Sequence, residues 1–256
     1  YKKNLVINPD YFLNKVQEIA IKTNNSEFLQ INQKCAVDFL QFLLDSFEID
    51  MKLNVTINLQ IKSEIENKTH DKELCALKSY QTHFSNKYSK LVPLLYGQYY
   101  NIYLNSKGVK SFQYDPFNIV QLEINDNNSL YECFDQFTSV EPLENNSKRQ
   151  ILFWEFPKIL IIQLKRRSGL NNYNTRLVNF PHILDVYKYC KKKTNTKFSL
   201  YAISNHMGSV NGGHYTSYCK NINDNWYEFN DDRVYTKGND EVVTASAVCV
   251  FYRKIS

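Results

Sequence analysis

One histidine in this chain is surrounded by residues of the types and spacing that catalysis requires. His214 follows Gly212 and Gly213, and Asn230 and Asp231 lie on the next predicted strand. This arrangement is typical of nucleophilic catalysis, because the histidine takes the nucleophile's proton while an amide or carboxylate fixes the tautomer and orientation of its ring. The glycines carry no side chains, so a substrate backbone could approach the ring closely.

The two strands that carry these residues are predicted to form a hairpin, whose register decides which residue faces the histidine. With a turn centred on Asn223 and Asp224, strand alternation places Asp231 on the face of His214. A bulge or a one-residue slip places Asn230 there instead. A histidine in a strand also commonly has only a packing or surface role, so the hairpin alone does not establish chemistry.

Three segments around the histidine resemble the histidine box of the ubiquitin-specific proteases, which are papain-like thiol peptidases that cut after the C-terminal glycine of ubiquitin. These segments are Gly-His-Tyr-Thr-Ser-Tyr at 213–218, Trp-Tyr-Glu-Phe-Asn-Asp at 226–231 and Val-Phe-Tyr-Arg at 250–253. Further matches, in the family's order, are its strand and loop before the box at 201–208, its central strands at 156–166 and 176–185, and its Gln-rich helix at 33–45. The resemblance covers most of the chain and is most specific at the C-terminal motifs.

The resemblance implies an α+β fold of the papain-like, ubiquitin-specific protease type, with thumb, palm and fingers, a mostly antiparallel sheet and N-terminal helices. It implies a single catalytic domain over 1–256 that lacks its N-terminal cysteine-box segment. The helical part is expected at about 1–50, the finger-like sheet at about 51–64 and 91–150, and the palm at about 151–256.

The resemblance also assigns roles around the histidine. His214 is expected to act as the catalytic base, and the family order Phe-Asn-Asp favours Asn230 over Asp231 as the residue that orients the ring. Gly213 and Tyr215 are expected to contact the substrate. The implied partner is ubiquitin or a ubiquitinated protein.

Asp38, which lies on the second predicted helix, is also expected to bind substrate. The family has an acid at this position that faces the arginine-containing tail of ubiquitin. An ordinary solvated aspartate on a helix explains the same residue equally well.

The nucleophile of such an enzyme is expected upstream of Tyr1, which stands where an initiating Met would and indicates a fragment or processed piece. A thiol peptidase needs a cysteine with a depressed pKa, and in the family this cysteine and an oxyanion-stabilising Asn precede the Gln-rich helix. Cys35 falls where that helix carries Asp, inside an apolar stripe, and is interpreted as a small buried hydrophobe.

The predicted function is therefore a thiol-dependent deubiquitinase that hydrolyses the peptide or isopeptide bond after the C-terminal glycine of ubiquitin. The alternative is a catalytically inactive ubiquitin-binding scaffold of the same fold. Retention of a base together with its orienting residue favours the enzyme, since a scaffold needs neither. A papain-like peptidase that acts on ordinary peptides is a third possibility, which the finger-like insertion disfavours.

Composition excludes several other classes. There is no apolar run of about 18 residues and no charged-then-apolar leader, so neither a membrane span nor a signal peptide is predicted. The net charge of +5 is too small to indicate a nucleic-acid partner. Six scattered cysteines suit a reducing cytoplasm or nucleus. The fingers of the family usually carry two CxxC pairs. In this chain Leu104 and Lys107 stand where the two cysteines of the first pair would be, so neither zinc nor another cofactor is expected.

Local patterns predict the elements that position these residues. Asn8, Pro9 and Asp10 start a helix that runs to about Thr23, and Ser129 starts another that runs to about Phe137. An apolar stripe predicts a helix at 33–47, with Cys35, Ala36, Phe39, Leu40, Leu43, Leu44 and Phe47 on its buried face. Strands are predicted at 51–64, within 91–124, at 159–162, 198–206, 214–221, 225–230 and 246–253, with turns and a loop at 65–90.

Overall fold

The computed structural model describes residues 8–30, 34–59, 68–168, 172–209 and 212–255. It consists of two compact units, residues 1–50 and residues 51–256. The first unit is helical. The described residues of the second contain two larger sheets and a two-stranded hairpin, and they carry the histidine motif.

The first unit contains helices α1 (Asp10–Lys22) and α2 (Ala36–Asp50), separated by a 3-10 turn at Ser26–Leu29. Helix α1 starts where the Asn-Pro-Asp sequence predicted, but its N-cap residue is Pro9 and not Asn8. The Asn8 side-chain oxygen accepts a hydrogen bond from the Asp10 N–H at 2.9 Å. That bond satisfies one of the N–H groups that an α-helix leaves without an internal partner.

The buried face of α2 differs from the predicted stripe. Its buried residues are Val37, Phe42 and Leu44, whereas Phe47, which was predicted to be buried, is 48% exposed. Phe42 belongs to the core because its ring lies 4.6 Å from that of Phe28. Packing against this aromatic residue, rather than helical spacing alone, selects the buried face.

The second unit begins with a segment whose prediction was wrong. Residues 51–59 form no strand; Lys52 makes an isolated bridge to Ser89, and the Ile57 carbonyl accepts a hydrogen bond from the Gln81 side chain at 2.5 Å. Residues 60–64 of the predicted strand lie outside the described residues. The alternating pattern is therefore present, but its backbone groups bond to a turn and a helix instead of to a neighbouring strand.

Helix α3 (Lys68–Phe84) occupies most of the region predicted to be turns and a loop. Its inward residues Ala76 and Phe84 are buried and Tyr80 is half-buried, which is helical spacing. The Ser79 hydroxyl donates a hydrogen bond to the Tyr114 carbonyl at 2.5 Å. Packing on the neighbouring sheet stabilises this helix despite its largely polar sequence.

The smaller sheet has four strands in the order β2-β1-β5-β4. Their bounds are β1 Gly97–Leu104, β2 Lys110–Phe117, β4 Val140–Pro142 and β5 Lys148–Glu155, preceded by the short helix α4 (Val92–Leu95). Aromatic contacts hold the sheet: Tyr99 stacks on Phe117 at 4.3 Å, and Tyr100 packs between Phe112 and Tyr114.

The larger sheet has eight strands in the order β13-β12-β11-β10-β14-β6-β3, and β9 also pairs with β10. Their bounds are β3 Ile119–Glu123, β6 Ile159–Lys165, β9 Ile183–Asp185, β10 Lys197–Ser209, β11 Gly212–Lys220, β12 Trp226–Asn230, β13 Arg233–Lys237 and β14 Ala247–Lys254. The predicted C-terminal strands and the buried strand at 159–162 are confirmed, and β13 is an additional edge strand. Strand β6 pairs in parallel with β3 and antiparallel with β14.

Helix α5 (Leu130–Phe137) packs its apolar face into the core of this sheet, and its start at Ser129 was predicted correctly, although the reciprocal bond of a capping box goes to Asn128 and not to Ser129. The Ser129 hydroxyl accepts from the Glu132 N–H, while the Glu132 carboxylate accepts from the Asn128 N–H. A two-stranded hairpin, β7 (Arg167–Ser168) and β8 (Asn172–Tyr173), follows β6.

Candidate active site

The register of the hairpin between β11 and β12 brings Asn230 to the face of His214. Ser217 pairs with Phe229, one residue away from the pairing expected for a turn centred on Asn223 and Asp224. The same register continued along β12 places Asn230 level with Thr216, two residues from His214 and on its face of the sheet. The alternation argument for Asp231 was therefore wrong.

The turn explains this shift of one residue. The loop between the last paired residues, Lys220 and Trp226, contains an odd number of residues. The side-chain oxygen of Asn221 accepts hydrogen bonds from the N–H groups of Asn223 and Asn225, both at 2.9 Å, which closes a wider turn than the predicted one.

His214 and Asn230 make a direct hydrogen bond. The Nε2 atom of the histidine lies 2.7 Å from Oδ1 of the asparagine. An amide oxygen can only accept, so Nε2 carries the proton and Nδ1 is the basic nitrogen of the ring. The asparagine thus selects one tautomer and orients the imidazole, as a proton-accepting catalytic histidine requires.

Asp231 lies near the ring but is not hydrogen-bonded to it. Its carboxylate oxygen is 3.9 Å from His214 Nε2, and its side chain is 77% exposed. Solvent and salt screen a charge in that position. The structure therefore favours Asn230 for orientation and leaves Asp231 as a nearby, solvated charge.

The glycines before the histidine are required by packing. Gly208 of β10 pairs with Gly213 of β11, and a Cβ atom on Gly213 would lie 2.3 Å from the Met207 carbonyl oxygen and 2.6 Å from His206 Nε2. Gly208 also has φ +152°, and a Cβ atom there would lie 2.4 Å from the Gly212 carbonyl. This close approach of two backbones fixes the path of the chain into His214, whatever contact Gly213 makes with substrate.

A second histidine, His206, was not identified from the sequence as part of the site. It is buried on β10, where its Nδ1 lies 2.8 Å from the Tyr173 hydroxyl and its ring centroid lies 4.6 Å from that of Tyr215. Burial lowers its pKa, so the neutral ring is favoured. Its sequence signal is its place two residues before Gly208, in the loop segment that carries the family resemblance.

Asp38 lies in the first turn of α2, and its side chain is exposed. An acid in a first helical turn interacts favourably with the helix dipole. That local role accounts for the residue within its own unit, and its role toward ubiquitin stays a prediction.

Four cysteines of the described residues are unlike an activated nucleophile. Burial raises the thiol pKa of Cys35, Cys133, Cys190 and Cys219, in the case of Cys133 to about 11. A catalytic thiol requires the opposite shift, because the thiolate is the reactive form. These four side chains stay protonated at neutral pH.

The part of the chain that the structure describes contains neither a metal-binding cluster nor a membrane-spanning helix. Within these ranges, no three His, Cys, Asp or Glu side chains are grouped closely enough to hold a metal ion. No helix in the same ranges has both the length and the apolar character needed to cross a membrane.

A family model matches nearly the whole chain. The model of the ubiquitin carboxyl-terminal hydrolases matches residues 2–252. The chain belongs to this family.

Individual relatives support the same conclusion. The chain is 30% identical over 279 residues to human ubiquitin carboxyl-terminal hydrolase 2, a match that covers 99% of this chain and 45% of that protein. It is 37% identical over 147 residues to ubiquitin carboxyl-terminal hydrolase 9 of Arabidopsis thaliana, which covers 50% of this chain and 16% of the relative. The chain thus spans less than half the length of these relatives.

Solved structures confirm the predicted α+β fold of the ubiquitin-specific protease type. The Ubp8–Sgf11–Sgf73–Sus1 SAGA DUB module superimposes with a TM-score of 0.69 at 25% identity, over 99% of this chain and 54% of the matched chain. A SAGA DUB module bound to monoubiquitin gives a TM-score of 0.71 at 24% identity, over 94% of this chain and 52% of the matched chain.

Proposed function

We propose that this chain is part of a thiol-dependent deubiquitinase that hydrolyses the peptide or isopeptide bond after the C-terminal glycine of ubiquitin. The observation that carries the proposal is the hydrogen bond of 2.7 Å from His214 Nε2 to Asn230 Oδ1, in a chain of the ubiquitin carboxyl-terminal hydrolase family. This bond leaves Nδ1 as the base, which is the group that a thiol nucleophile needs.

The nucleophile is assigned to a cysteine upstream of Tyr1, where the family resemblance places it. Within the chain, burial raises the thiol pKa of Cys35, Cys133, Cys190 and Cys219. In this scheme His214 Nδ1 takes the thiol proton and the thiolate attacks the carbonyl carbon of ubiquitin's terminal glycine. The C–N bond breaks as the leaving amine receives the proton from His214. Water, activated by the same histidine, then hydrolyses the thioester and restores the thiol.

The proposed substrate-binding residues are Gly213 and Tyr215 beside the histidine and Asp38 on α2. A ubiquitin partner is supported by the similar SAGA DUB module that was solved with monoubiquitin. The catalytic domain would combine the helical residues 1–50, fingers over about 91–150, and a palm over about 151–256. An intracellular location, in the cytoplasm or the nucleus, is part of the same proposal.

Replacement of His214 by Ala tests this function. In the full protein with its upstream segment, we expect His214→Ala to lower hydrolysis of a fluorogenic ubiquitin amide by at least about 100-fold, the lower end of the usual contribution of general base catalysis. Ubiquitin binding, measured by calorimetry, should change little, because binding is spread over the fingers.

The matched control is His83→Ala, which removes a histidine on α3 whose ring packs against Phe84. It should hydrolyse the substrate at the rate of the parent protein. Equal rates in His214→Ala and the parent would refute the role of His214 as base. A parent protein that binds ubiquitin without hydrolysing the amide would instead favour the inactive scaffold.

A further inference from the structure

The buried His206 contacts the residues on both sides of His214. A Cβ atom on Gly213 would lie 2.6 Å from His206 Nε2, so the ring occupies the space above the residue before the catalytic histidine. The same ring lies 4.6 Å, centroid to centroid, from Tyr215, the residue after it. His206 is only 4% exposed, so its position is set by packing.

The other edge of the His206 ring is bonded to the β7–β8 hairpin. The Tyr173 hydroxyl on β8 lies 2.8 Å from His206 Nδ1. Either group can donate in this bond, so it is present with both neutral tautomers of His206. This bond connects the hairpin to the sheet and fixes the angle of the His206 ring against its neighbours.

The chain that follows the hairpin is in turn anchored by Arg166, which is 3% exposed. Its guanidinium donates to the carbonyls of Asn174 at 3.0 Å, Arg176 at 2.9 Å and Ala247 at 2.7 Å. Ala247 pairs with Asn205, the neighbour of His206 on β10. The hydrogen bonds of Arg166 thus anchor both the chain just after Tyr173 and the strand beside His206. They hold Tyr173 at a fixed distance from His206.

We propose that His206, oriented by Tyr173, is a positioning residue for the catalytic base. The inference rests on the proposed function, since it concerns how His214 is aimed at the thiol. His206 supports the backbone before and after His214 and so holds Nδ1 on the line toward the nucleophile. Catalytic groups must be held to within about 0.5 Å of their productive position, and the residues that pack around them provide that precision.

Tyr173→Phe tests this role with the smallest change, because it removes only the hydroxyl. In the full protein we expect kcat for a fluorogenic ubiquitin amide to fall by about 5- to 20-fold, less than the roughly 100-fold loss that a misplacement of 1 Å can cause. The KM and the melting temperature should stay close to those of the parent. Tyr201→Phe is the matched control on β10, where the ring packs against Phe251, and it should leave kcat unchanged.

A second pair of variants separates the hydrogen bond from the volume of the side chain. His206→Asn keeps an acceptor near the position of Nδ1, whereas His206→Leu has a similar volume and no acceptor. We expect the Asn variant to retain several-fold more activity than the Leu variant. Equal kcat values in these two variants, or a Tyr173→Phe effect seen in KM alone, would overturn the inference.

A readout that does not need hydrolysis distinguishes this inference from the proposed function. In protein labelled with ¹⁵N-histidine, the nitrogen spectrum of the parent should show His214 protonated at Nε2, and Tyr173→Phe should shift or broaden these signals. Unchanged His214 signals in Tyr173→Phe would overturn the positioning role even in an active enzyme. Changed signals in a protein that hydrolyses nothing would support the positioning role while the proposed function fails.

Discussion

Replacing Asn230 by Ala removes the acceptor that lies 2.7 Å from His214 Nε2. A hydrogen bond of this kind contributes about 0.5–1.5 kcal/mol net. Because 1.36 kcal/mol corresponds to a factor of about ten in rate, loss of the bond alone predicts a fall in kcat of about 2- to 10-fold. The fall becomes larger if the ring also populates the wrong tautomer, since Nδ1 is then protonated and cannot accept the thiol proton.

The matched control is Asp231→Asn, which removes the neighbouring charge. Asp231 has φ 51°, a left-handed conformation that Asn tolerates better than Ala, so this substitution avoids a backbone penalty. The carboxylate lies 3.9 Å from Nε2 and is 77% exposed. Its loss should therefore change kcat by less than about twofold, as for other exposed charge pairs.

The assay is steady-state hydrolysis of a fluorogenic ubiquitin amide by the full protein, with ubiquitin affinity measured in parallel. Asn230→Asp adds a third arm, because a carboxylate still accepts from Nε2 and stabilises the imidazolium better than an amide does. It should keep most of the activity. A larger loss of kcat in Asp231→Asn than in Asn230→Ala would show that the orienting role belongs to Asp231.

Two further predictions concern the thiols and zinc. Residues 1–256 alone should not react with a ubiquitin C-terminal electrophile, because burial raises the thiol pKa of Cys35 and Cys219. Stoichiometric labelling of either cysteine, mapped by mass spectrometry, would contradict this prediction. Purified protein should contain well below one zinc per chain by elemental analysis, because structural zinc needs about four thiolate or imidazole ligands and Cys133 is the only cysteine in 94–150. One equivalent of zinc per chain would refute that prediction.

Local signals were enough to predict several elements of this fold. The sequence around Asn8 predicted the start of α1, and Ser129 caps α5 as predicted, because the hydrogen bonds at both starts join residues only two or three positions apart. The apolar run at 159–162 was correctly interpreted as a buried strand, since the consecutive residues Leu160, Ile161 and Ile162, whose side chains alternate between the two faces, are all buried.

Other elements depended on neighbours that are distant in the chain. The alternation in 51–59 predicted a strand, yet these residues bond to α3 and to the turn at Tyr88, where the Leu53 N–H donates to a carbonyl at 2.8 Å. The mainly polar segment at 68–84 predicted a loop, yet it is a helix that packs its few apolar residues on the smaller sheet. Tertiary packing overrides weak local preference in both cases.

The candidate site likewise combines residues that the sequence predicted with contacts that only the tertiary structure shows. The sequence by itself identified His214 and Asn230, because the histidine motif and the Phe-Asn-Asp order are contiguous patterns. Only the tertiary structure decided the hairpin register, since a one-residue change in a turn moves every following side chain to the other face of a strand. It alone revealed His206 and Tyr173 as neighbours, because the two residues are 33 positions apart and meet only once the β7–β8 hairpin packs on the sheet.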